Sequence, residues 1–173
     1  MQKYEDSKLA YWIIGLVIVI VIGVLGTLIF KDVIWPKTNR ELATSCTTDM
    51  ATQFHIHPHL EIMVNGQKQE IPTGIGIDEA VCMHPLHTHD VSGIIHVESP
   101  EQRDFTLDDF FFIWNKKFSK DQILDYKADD KHVIKETING KEVQDYENTI
   151  LRDKDEIVIS YEPIDSTQGK EKK

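Results

Sequence analysis

The run His55-Ile56-His57-Pro58-His59-Leu60-Glu61-Ile62-Met63-Val64-Asn65-Gly66-Gln67-Lys68-Gln69-Glu70-Ile71 carries the plainest fold signal in the chain. His55 to Val64 alternates as a strand does, Asn65-Gly66 is the strongest short hairpin signal, and Gln67 to Ile71 reads as the return strand, stopped by Pro72. An extended strand turns alternate side chains to one face, so His55, His57, His59 and Glu61 are expected to share a face.

Seven of the eight histidines lie between His55 and His96, and only His132 falls outside. His87-Thr88-His89-Asp90 supplies a second same-face pair, in a strand expected to run from His87 to Glu98 with a break near Ser92-Gly93. Along a regular strand His96 has the opposite parity to His89, and a bulge at Gly93 would restore it to their face. Neutral imidazole is the commonest side-chain metal ligand. Same-face neighbours on one strand stand about 6.6 Å apart, whereas metal–nitrogen bonds are near 2.0 Å, so a single extended strand spreads its ligands too widely. One shared site is therefore expected, built from His57 or His59 together with His87 or His89, and with His96 brought in by the bend. The metal candidates are His55, His57, His59, His87, His89 and His96; Glu61, Cys82, Met83, His84, Asp90 and Glu98 are additional ligands or supports. Imidazole suits copper and zinc, the sulfurs of Cys82 and Met83 would suit reduced copper, and two histidines with a carboxylate would suit non-haem iron.

At 173 residues the chain is expected to hold one folded domain plus appendages. Leu9 to Phe30 is a block of 22 uncharged, mostly apolar residues. At about 1.5 Å per residue it matches the roughly 30 Å hydrocarbon core of a bilayer. Tyr11, Trp12 and Trp35 sit where interfacial aromatics belong. The block runs on into Phe30-Lys31-Asp32 without a small-residue cleavage site, which favours an uncleaved anchor over a signal peptide. The expected division is a cytoplasmic tail at 1–8, an anchor at 9–30, a polar linker at 31–52, the metal-binding domain at 53–163 and a disordered lysine-rich tail at 164–173. Positive charge flanks both ends of the anchor, at Lys3 and Lys8 and at Lys31, Lys37 and Arg40, so orientation rests on the short tail and on Cys46 and Cys82, which are compatible with a disulfide. Both favour a domain outside the cytoplasm.

Further elements follow from local signals. Gly74-Ile75-Gly76-Ile77 is a bend or short strand under tight backbone demands, and Thr106 caps a helix with Asp108 and Asp109 in its first turn. Phe110, Ile113 and Trp114 give that helix an apolar stripe. His132 to Ile138 is a strand, Asn139-Gly140 a second hairpin turn, and Glu156 to Tyr161 the last strand. The fold class is α+β: an N-terminal transmembrane helix, then a mostly antiparallel sheet with one main helix.

The closing segments Ile138-Asn-Gly-Lys-Glu-Val and Leu151-Arg-Asp-Lys-Asp-Glu-Ile-Val-Ile resemble the end of β-grasp, ubiquitin-like modules. With no terminal Gly-Gly, a sulfur-carrier or modifier role is not implied. Across residues 53–162, the strings HIHPHLEIMVNGQKQEIPTGIGI, Cys82-x4-HTHD and SGIIHVESPEQRDFTLDDFF resemble a family of small, often membrane-anchored bacterial and archaeal proteins. The resemblance implies that Cys82, His87, His89, Asp90 and His96 belong to one pattern with His55, His57 and His59, and it implies no reaction. His55-x-His57-x3-Glu61 also resembles the first half of a cupin metal motif, without a recognisable second half.

The net charge of −10 argues against nucleic acid as a partner and is compatible with cations. No GxSxG, phosphate-binding loop or CxxC motif is present. The expected function is extracytoplasmic handling of copper or zinc, or its delivery to a membrane partner. The alternatives are a cupin-like metal enzyme and a structural subunit of a membrane complex.

Overall fold

The computed structural model describes residues 2–30, 37–46, 53–78 and 82–164. The chain divides into two compact units, Met1–Thr38 and Asn39–Lys173. The first is α1 (Gln2–Ile29), whose segment Tyr11–Ile29 is long and apolar enough to cross a membrane. Along that segment the isoleucines, valines and leucines are exposed all round. Trp35, and the tail from 165 onward, lie outside the described residues.

In the second unit, α2 (Asn39–Ala43) belongs to the domain although the sequence placed it in a linker. Leu42 and Ala43 are in the hydrophobic core, and Arg40 Nε bonds Asp109 Oδ1 at 2.8 Å. The strand expected from His55 to Val64 is two strands. β1 (Phe54–Ile56) ends before His57-Pro58, and β2 (His59–Val64) begins after it in a different sheet. Proline has no N–H to give a ladder and keeps the residue before it extended, so a change of partner is least costly there. The joint is pinned from outside: His57 N–H donates to Asp153 Oδ1 at 3.0 Å, and Lys154 N–H donates to the His57 carbonyl at 3.3 Å.

β2 turns at Asn65-Gly66, both at positive φ, into β3 (Gln67–Gln69). After β4 (Ile77–Asp78), β5 (Cys82–Met83), β6 (Leu86–His87) and β7 (His96–Ser99) comes α3 (Leu107–Ile113). Its capping box is complete: the Thr106 hydroxyl accepts from Asp109 N–H, and the Asp109 carboxylate accepts from Thr106 N–H. The charged stretch that follows holds a small meander of β8 (Phe118–Ser119), β9 (Gln122–Ile123) and β10 (Tyr126–Lys127). β11 (His132–Ile138), β12 (Lys141–Val143), a 3-10 turn at Tyr146–Asn148 and β13 (Glu156–Pro163) complete the unit.

The main sheet has the order β12-β11-β13-β2-β3. Its only parallel pair is β2 with β13, the first and last strands of the sheet; the others are antiparallel. Leu60, Ile62 and Val64 of β2 and Ile157, Ile159 and Tyr161 of β13 turn one face inward, and Leu107, Phe110 and Phe111 of α3 join the same core. Each such Leu, Ile or Phe contributes roughly 1.5–3 kcal/mol by leaving water. The fold is thus α+β with mostly antiparallel sheets and few helices. A second sheet, β1-β7-β6, carries His55, His87 and His96.

Candidate metal centre

His87 to Glu98 is not one strand with a bulge. β6 and β7 are antiparallel, and residues 88–95 form the connection that reverses the chain. Gly93 makes the reversal possible: its φ is +93°, and a Cβ there would stand 2.3 Å from the Leu60 carbonyl oxygen. Leu60 N–H donates to the Gly93 carbonyl and Ile95 N–H to that of Pro58, each at 2.9 Å, which seats the loop against the start of β2. Reversal, not a bulge, brings His96 back to the other histidines.

Register then sets the cluster. His96 on β7 pairs directly with His87 on β6, and residues opposite each other in an antiparallel pair share a face. On the other edge of β7, Ile56 pairs with Val97 and His55 with Glu98, so the next position, His57, comes alongside His96. Ring centroids lie 4.7 Å apart for His57 and His96, 5.5 Å for His87 and His96, 4.5 Å for His89 and His96, 4.7 Å for His87 and His89, and 4.4 Å for His55 and His57. Two groups can hold a metal ion: His55, His57 and His96, and His87, His89 and His96, with the ligand atoms of each within 4.8 Å of one another. Nitrogens sharing one ion at about 2.0–2.1 Å in a tetrahedron stand about 3.3 Å apart, so small side-chain rotations close either triad. His87 Nε2 and His89 Nε2, at 3.1 Å, are already there.

The ring nitrogens have distinct partners. His87 Nδ1–H donates to the His84 carbonyl at 3.0 Å, which fixes the tautomer and leaves the Nε2 lone pair toward the cluster. Gly76 packs close to this residue; a Cβ on it would come 3.3 Å from His87 Cβ and 2.4 Å from the Leu86 carbonyl oxygen. Burial lowers the His87 pKa to about 4, and burial, then His89 and His57, lower that of His96. Both rings are held in the neutral form that binds metal. Glu98 Oε1 lies 3.2 Å from His55 Nε2, so a carboxylate borders the cluster on the β1 side.

The remaining candidates lie elsewhere. His59, on β2 beyond Pro58, faces Glu156 Oε2 with Nδ1 at 2.6 Å and the Ser92 carbonyl with Nε2 at 3.0 Å, so neither nitrogen is turned to the cluster. Glu61 bonds Lys68 Nζ at 2.8 Å on the main sheet, apart from β1 and its His55. Cys82 is in a disulfide with Cys46, their Cα atoms 5.4 Å apart. Met83 sits in β5 opposite Ile77. His84 approaches the Ser45 carbonyl with Nδ1 at 3.1 Å, and it serves the cluster through its own carbonyl. Asp90 accepts from Ser92 N–H at 2.8 Å, and its bonds to Ser92 hold its carboxyl below the usual range; it shapes the loop. The glycines at 76 and 93 and the carbonyl of His84 were not among the sequence candidates. The sequence marks Gly93 as a break and the site of a bulge, not of a chain reversal, and nothing local marks a carbonyl as a partner. Comparison with protein-family models, with curated proteins and with solved structures finds no match.

Proposed function

We propose that the chain is a membrane-anchored, extracytoplasmic metal-binding protein that holds copper or zinc on its histidine cluster, for metal handling or delivery to a membrane partner. The observation that carries this reading is the meeting of two imidazole triads at one residue, His96. An all-imidazole donor set suits copper(II) and zinc, and no sulfur or carboxylate stands in either triad among the described residues. The apolar stretch Tyr11–Ile29 supports the anchor, and the Cys46–Cys82 disulfide supports an oxidising compartment. The sheet order, with a first hairpin, an intervening helix and the first and last strands parallel at the centre, supports a β-grasp-like domain. Against the cupin-like alternative stands the place of Glu61, which pairs with Lys68 on a different sheet from His55.

The test is X-ray absorption on the full chain in detergent, loaded with one equivalent of copper(II) or zinc. The expected spectrum is dominated by imidazole nitrogen with its outer-ring scattering. A sphere made mainly of water and carboxylate oxygen overturns the proposal.

A further inference from the structure

We infer that the cluster is a two-station path for a single ion, in which His96 passes the metal from an outer triad with His55 and His57 to an inner triad with His87 and His89. This rests on the metal-binding function proposed above and adds how the site works.

Five imidazoles form two groups of three that share one member, and no group of four or five closes among the described residues. The reason is the sheet. His57 and His87 flank His96 from opposite edges of β7, and neighbouring strands stand about 4.8 Å apart, so an ion bonded in one triad is beyond bonding distance of the far ligand of the other. Two dications on one shared imidazole would repel each other, and among the described residues Glu98 is the carboxylate paired with a member of either triad. Single occupancy with two positions is the arrangement this geometry favours.

The stations differ in kind. The outer one includes His55, half-exposed on an edge strand, with the Glu98 carboxylate 3.2 Å from its Nε2 to attract a cation. The inner one also has an exposed member, His89, and differs by His87, which is fully buried, oriented by the His84 carbonyl and packed close to Gly76. Capture suits exposed, adjustable ligands, and retention suits fixed ones. Transfer is ligand exchange alone: bonds from the metal to His55 and His57 break, bonds to His87 and His89 form, and His96 is a ligand at both stations. No electron moves and the charge of the ion is unchanged.

The experiment loads the full chain in detergent with copper(II), reads stoichiometry and coordination by electron paramagnetic resonance, and follows uptake and removal by a competing chelator in a stopped-flow instrument. The native chain is expected to take one magnetically isolated copper(II). His96→Ala should weaken binding at least a hundredfold. His55→Gln should change equilibrium affinity less than threefold but slow uptake at least tenfold. His89→Ala, an exposed position that spares the buried His87, should keep one copper at the outer triad, bound at least tenfold more weakly and with an altered spectrum. Two coupled coppers per chain, native uptake rates in His55→Gln, or equal affinity losses in His55→Gln and His89→Ala would each overturn the path while leaving metal binding standing. No copper uptake by the native chain overturns the proposed function itself, and the path with it.

Discussion

Acid should destabilise the metal-free protein, with His87 supplying the largest histidine contribution. Its ring is fully buried, and burial lowers its pKa from 6.5 to about 4. The His84 carbonyl and Glu98 act to raise the value, and His89 and His96 act to lower it further. Because the folded value lies below the unfolded one, the unfolded chain takes the proton first. Stability from this residue is complete above about pH 6.5, declines as pH falls and is fully lost below about pH 4. At about 1.4 kcal/mol per pH unit the whole effect is about 3 kcal/mol, and about 2 kcal/mol of it is gone by pH 5. Carboxylates also titrate in this range, so the informative quantity is a difference. Urea unfolding of the full chain, in detergent with chelator and followed by near-ultraviolet circular dichroism, should be run at pH 7 and pH 5 for the native protein and for His87→Gln. The native protein should lose about 2 kcal/mol more than the variant, whose side chain cannot charge. Equal losses would refute the assignment of a buried, neutral ring at this position.

Gly93→Ala should cost at least about 2 kcal/mol and weaken metal binding, because the new Cβ meets the Leu60 carbonyl oxygen at a positive φ and shifts the loop that returns His96; a thermal melt with the native midpoint would contradict this. Cys46→Ser with Cys82→Ser should cost about 4 kcal/mol, the loop-entropy value for a sequence separation of 36, and denaturant titration under oxidising conditions measures it. A loss below about 1 kcal/mol would mean that the disulfide does little to restrict the unfolded chain. A cysteine at Ser166 should react with a membrane-impermeant maleimide in intact spheroplasts; reaction only after lysis would reverse the proposed orientation.

Elements with local causes were legible in the sequence. β11 runs from His132 to Ile138 as its alternation implies, both Asn-Gly turns adopt positive φ, and the Thr106 cap forms as its acidic first turn requires. What the sequence concealed depends on contacts between distant segments. His59 has the same spacing from His57 as His57 has from His55, yet Pro58 sends it to another sheet, where Glu156 and Ser92 engage it. His96 joins His87 through a chain reversal that needs Gly93 against Leu60, a contact no strand periodicity can express. Leu42 and Ala43 enter the core from a polar stretch because two apolar residues suffice when Arg40 anchors the helix to Asp109. The two-residue strands at 118–127 are too short to register as a pattern.

The central claim is that the histidines gathered around His96 bind a metal ion. Its most direct test is elemental analysis of the tag-free full chain after incubation with copper(II) or zinc and removal of loose metal. The native protein should retain about one ion per chain, as for a closed imidazole site. His59→Ala should retain it too, since that ring faces Glu156 and Ser92 instead. His96→Ala should lose it. Metal at background in the native chain, or undiminished in His96→Ala, would contradict the account.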